Sequence, residues 1–175
     1  MSAPSNSRRS SAVRNTCIYA MLASLMFCSK IIMEALPNVH LLGVLTMVYT
    51  VALGRRALIP LYLYVIINGV YAGFATWWIP YLYIWTILWL MTTLIPRRLP
   101  RRALAIIYPA VCSLFGFAFG ALYAPGQALL YGMSLQATLA WIVSGLPFDV
   151  IHGVSNLFTG MLILPLSTLL QKLMK

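Results

Sequence analysis

Acidic side chains are almost absent from this chain. Of 175 residues only two are Asp or Glu, Glu34 and Asp149. Charged residues of both signs make up 8%, against about 25% in a soluble domain. So few charges cannot cover a water-facing surface, which excludes a water-soluble fold. Two lone carboxylates also exclude paired-carboxylate chemistry. No GxxxxGK[ST] loop is present, so ATP is not cradled in that way. HExxH and any cysteine–histidine metal set are missing too, and no metal site is expected. The three cysteines, Cys17, Cys28 and Cys112, form no CxxC pair and lie in apolar runs. They suit small buried positions rather than a disulfide framework.

What is abundant is apolar: 62% of the chain. Several runs approach the roughly 20 residues that cross a bilayer. The composition therefore predicts an all-α polytopic membrane protein, with room for one compact bundle. The polar, basic residues 1–15 are expected to be a disordered cytoplasmic tail, and residues 16–175 a single transmembrane domain. Helices are predicted at roughly 16–35, 39–53, 57–75, 80–95, 103–123 and 147–170. Breakers at Pro37, Gly54 and Pro125 bound three of them, and Pro80 and Pro147 suit first helical turns. Residues 126–145 could be a further span or an external excursion, and charge decides. With six spans, Arg8, Arg9, Arg14, Arg55, Arg56, Arg97, Arg98, Arg101, Arg102, Lys172 and Lys175 all fall on one side. Only Lys30 does not. That is the positive-inside pattern. It predicts six helices, both termini cytoplasmic, and an external excursion near 126–145. The formal net charge of +10 comes from these short clusters beside anionic lipid. No basic helical face exists, so nucleic acid is not an expected partner.

This topology gathers the unusual residues at the outer ends. Lys30 and Glu34 are one turn apart and could pair. A carboxylate at a helix C-terminus opposes the helix dipole, so Glu34 asks for a partner, either Lys30 or a ligand. Asn38 and His40 follow in "LPNVH". The next outer loop, "FATWWIPYLYIW", carries Trp77, Trp78, Tyr81, Tyr83 and Trp85. Such rings anchor at a membrane interface or face a cavity. In the last helix Asn156 lies about 20° from Asp149, and His152 about 60° away, at about 100° per residue. Gly153 and Gly160 share that stripe. Ionisable groups inside a span normally face the bundle or a water-filled cavity. The stripe is therefore a ligand-facing wall or a hydrogen-bonded clasp between helices. Asn68 and Tyr71 could extend the same polar surface. Gly116 and Gly120 in "GFAFG", and Ala20 with Ser24, permit close helix approach. A catalytic reading, with His152 and Asp149 as an acid–base pair, lacks an obvious nucleophile. A structural or channel-like role is the third class.

The six-helix layout, "ALPNVHLLG" after the first helix, "PYLYIWTILW" and "GLPFDVIHGVSN" resemble the substrate-binding S components of energy-coupling factor (ECF) type ABC transporters. The resemblance covers nearly the whole chain and rests on layout more than on a diagnostic motif. It implies a non-enzymatic vitamin-capturing subunit in a prokaryotic plasma membrane, with no cofactor of its own. A separate transmembrane subunit and two ATPases would be its partners. It implies that Ala20 and Ser24 dock the transmembrane subunit, serine replacing the second alanine of the family's AxxxA-like face. Among the family's substrates the chain is most similar to the cobalamin type. Pantothenate, pyridoxine or a queuosine precursor are the alternatives. The substrate-binding residues expected on this reading are Glu34, Asn38, His40, Asn68, Tyr71, Trp77, Trp78, Tyr81, Trp85, Asp149, His152 and Asn156.

Overall fold

A computed structural model describes residues 6–36 and 39–174, with side chains from residue 12 onward. The described chain is helical, with no strand. Helix α1 spans Asn6–Ile32, α2 Leu42–Leu53, α3 Leu58–Ala72, α4 Tyr81–Leu94, α5 Arg101–Phe117, α6 Phe119–Tyr131, α7 Leu135–Thr159 and α8 Ile163–Leu173. Four stretches are long and apolar enough to cross a membrane: Ala12–Ala35, Leu42–Ala72, Arg101–Tyr131 and Leu135–Gly160. At 1.5 Å per residue, the 14 residues of α4 fall short of the roughly 30 Å hydrocarbon core.

Three sequence expectations are corrected. The helix that was to begin at residue 16 begins at Asn6, so residues 6–15, expected as a tail, are helical. The helix that was to stop before Pro125 continues as α6 to Tyr131. The helix that was to begin at Pro147 begins at Leu135, with the Ser134 side chain accepting from the Ala137 N–H as its cap. Residues 126–145 are therefore the tip of a helical hairpin, turned at Gly132 in the left-handed conformation (φ 59°). Pro125 is accommodated by the Tyr83 hydroxyl of α4. That hydroxyl donates to the Leu122 carbonyl at 2.9 Å and accepts from the Gly126 N–H at 3.3 Å. It thus inserts between i and i+4 partners of one helical turn.

Helix α2 is the central pillar. Every residue from Leu42 to Thr50 is buried, as a helix apolar on all sides requires. It packs on α4 and α8 and touches α5 and α7. Gly54 ends it with φ 62°, a conformation only glycine adopts cheaply. The basic clusters come together at that end of the bundle. Trp89 Nε1 donates to the Gly54 carbonyl, Arg101 to Thr168, and Gln171 to the Val51 carbonyl. Arg55, Arg56, Arg97, Arg98, Arg101 and Arg102 are all exposed there.

The closest backbone approach brings α5 against α7 and the turn that follows it. A Cβ on Gly116 would lie 2.8 Å from Gly153 Cα, and one on Gly160 would lie 2.8 Å from Pro109 Cα. Both obstacles are backbone and cannot swing aside. Gly116→Val is expected to destabilise the protein by about 1–3 kcal/mol. Gly145→Ala, where nothing lies within 4 Å of the added carbon, should stay within about 0.5 kcal/mol of the parent. Thermal unfolding in detergent measures both; equal midpoints for the two variants would contradict this packing.

Candidate functional site

The stripe on α7 is buried as its periodicity predicts: Asp149, His152, Gly153 and Asn156 all face inward. Most of it meets a helix. Both carboxylate oxygens of Asp149 accept from the Gly120 N–H, at 3.0 and 3.1 Å. Asn156 Nδ2 donates to the Cys112 carbonyl at 3.2 Å, and Ser113 Oγ donates to the Gly153 carbonyl at 2.8 Å. Asp149 and the Asn156 amide nitrogen therefore form the clasp of the two sequence alternatives. His152 does not take part. Its Nε2 is buried without a hydrogen-bond partner among the described residues. Its ring lies edge-on to Phe119 (5.0 Å between centroids) and to His40 (4.6 Å).

Those contacts lead into a continuous aromatic array. Phe119 packs against Phe115, Tyr123 and Trp85. Trp85 stacks on Tyr81 with rings 7° from parallel, and Tyr64 of α3 meets it edge-on at 6.4 Å. Tyr123 extends the array to Trp141 of α7, stacked at 6.0 Å. Unpartnered buried polar atoms accompany these rings: Trp85 Nε1, Tyr64 Oη, Asn68 Oδ1, His152 Nε2 and Asn156 Oδ1. His40 Nδ1 and Thr46 Oγ1 are also buried without a partner from another described residue. Buried polar groups are normally satisfied, and each one that is not costs about 1–3 kcal/mol. Three of these residues, Tyr64, Trp85 and His152, belong to the array and Asn68 stands one turn from Tyr64, which is the strongest mark of a binding site among the described residues.

The other expected site residues divide. Glu34 is exposed and pairs with Lys30 at 3.2 Å, the internal partner its position demanded. Tyr71 is 61% exposed and turns to α1, where Phe27 meets it edge-on at 5.2 Å. It does not extend the surface that Asn68 joins. Trp78 Nε1 donates to the Val65 carbonyl, tying the α3–α4 connection to α3. Trp77 contributes its carbonyl, which accepts from Tyr123 Oη at 2.6 Å. Tyr81 and Trp85 lie in the array. Asn38 lies outside the described residues. Ala20, Ser24 and Cys28 lie on an exposed face of α1, beside Met21 and Leu25. Gly116 and Gly120 are consumed by packing on α7.

Tyr64, Phe115, Phe119, Tyr123 and Trp141 were not singled out from the sequence. A signal existed. Phe119 and Tyr123 are spaced i, i+4 on α6, as are Tyr81 and Trp85 on α4, which sets each pair on one helix face. Tyr64 and Asn68 are one turn apart in the same way.

Among the described residues, no three of His, Cys, Asp and Glu come close enough to hold a metal ion. Comparison with family models, with curated proteins and with solved structures finds no match for this chain.

His40 sits in the α1–α2 connection, outside the spans. Burial pushes its pKa down to about 4 from the ordinary 6.5. Between these values the unfolded chain binds the proton and the folded chain does not, so stability rises with pH through that window. The thermal midpoint is expected to fall as pH drops from 7 to 5, with a shallower fall in His40→Gln. Identical pH profiles for the two proteins would remove His40 as the cause.

Proposed function

We propose that this chain is the substrate-capturing S component of an ECF-type ABC importer for a micronutrient, cobalamin being the first candidate. It works in a prokaryotic plasma membrane, with six spans and both termini cytoplasmic. The ATP is hydrolysed by partner ATPases, and the chain itself is not an enzyme. The observation that carries this reading is the set of buried polar atoms left unpartnered on residues in or beside the aromatic array. It joins α3, α4 and α7 toward the end of the bundle opposite the basic clusters. Capture from outside asks for such a site on the side away from the cytoplasmic charges. An array of rings without excess positive charge suits a large ring ligand better than an anionic vitamin such as pantothenate. The acid–base pair needed by an enzyme finds no such support, because the Asp149 carboxylate is bonded to the Gly120 N–H and not to His152.

The exposed face of Ala20, Ser24 and Cys28 on α1 is the proposed dock for the transmembrane partner subunit. Its small side chains would let another helix approach closely.

Mass spectrometry of small molecules co-purified with the protein tests the reading. A single stoichiometric micronutrient is expected; cobalamin would identify the first candidate, and pyridoxine or a queuosine precursor an alternative. Turnover of a lipid or peptide lost in His152→Ala would replace capture by catalysis. For the dock, Ala20→Trp should abolish co-purification with a transmembrane subunit and ATPases while leaving ligand binding within about twofold. An intact complex in that variant would move the dock elsewhere.

A further inference from the structure

The unpartnered atoms also define what chemistry the site can accept, and this step rests on the capture reading. Tyr64 Oη and Trp85 Nε1 are donors, Asn68 Oδ1 is an acceptor, and His152 Nε2 can be either. All four residues are at most 2% exposed. Tyr64 and Asn68 stand one turn apart on α3, and Trp85 meets Tyr64 edge-on. Phe119 lies between Trp85 and His152, with centroids at 6.2 and 5.0 Å. The residues that carry these atoms therefore belong to the aromatic array or stand one turn from it, and its rings offer flat apolar surface.

Among the described residues no ionised partner reaches this group. Asp149 is held by the Gly120 N–H. Lys30 is paired with Glu34 and lies 6.0 Å from the Tyr71 ring centroid, on the α1 side. The arginines with described side chains that lie beyond α1 are exposed at the other end. A charged ligand group placed among these residues would lose its hydration and gain no counter-charge. A neutral group with donors and acceptors on its edge would instead satisfy the orphaned atoms.

We infer that the site recognises an uncharged planar heterocycle, with Tyr64 and Trp85 donating to its edge and Asn68 accepting from it. The heterocycle is the whole ligand or the part of a larger one that is inserted.

This assignment has a two-sided signature. Removing a buried donor that has no partner relieves the ligand-free protein, whereas removing one that meets the ligand weakens binding. Full-length protein in detergent is titrated with lumichrome and hypoxanthine as uncharged planar probes, and with pantothenate as a carboxylate probe. Tryptophan fluorescence and calorimetry are the readouts. At least one uncharged probe should bind at least about tenfold more tightly than pantothenate. Tyr64→Phe and Trp85→Phe should each weaken that binding about tenfold, and in Tyr64→Phe, which removes only the hydroxyl, the ligand-free thermal midpoint should rise by a few degrees. Unchanged affinity in both variants, or a lower midpoint in Tyr64→Phe, overturns the assignment. Tighter binding of pantothenate overturns the uncharged class and leaves capture standing. Binding of no probe, together with no co-purified small molecule, overturns capture as well.

Discussion

The bundle depends on one backbone approach, that of α5 and α6 to α7. Gly116 lies against Gly153, and Pro109 against Gly160, with no room for a Cβ between them. In a lipid surround helices gain little from burying apolar side chains against each other, so close packing and backbone hydrogen bonds have to hold them together. The polar atoms of α7 do so at short range. Asp149 takes a backbone N–H from α6, Asn156 gives to a carbonyl of α5, and Ser113 of α5 gives to one of α7. Each of these bonds needs the backbones close, which the glycines allow.

Scarcity of charge organises the rest. The basic residues cannot enter the apolar interior, and the contacts of Arg101 with Thr168 and of Trp89 with Gly54 place them together at one end. The opposite end holds one ion pair, Lys30 with Glu34, beside neutral polar groups and rings. That segregation leaves one region where burial and unmet hydrogen-bonding capacity coincide. Helix α2, buried from Leu42 to Thr50, stands at the centre of the bundle.

Much of this was legible in the sequence. The period of Asp149, His152, Gly153, Asn156 and Gly160 placed them on one inward face, and they are there. Gly54 ended its helix as expected. The prolines misled, because a proline removes only one donor. Where a side chain such as Tyr83 occupies the gap, or where the turn is exposed as at Pro147, the helix continues. The aromatic residues divided in a way no local rule gives. Trp78 is spent on anchoring a loop, Tyr71 faces α1, and Tyr81 and Trp85 lie in the array.

By itself the sequence determined the class of protein, the inward stripe and the segregation of positive charge. These follow from composition and from a helical period that repeats every few residues. Only the tertiary structure decided what the stripe meets. Asp149 and Glu34, the two acids, each find an internal partner, whereas Tyr64, Asn68, Trp85 and His152 keep buried atoms unbonded. The reason is physical. Whether a buried polar group is satisfied depends on atoms far away in the chain, whose distance is set by helix packing and by nothing local.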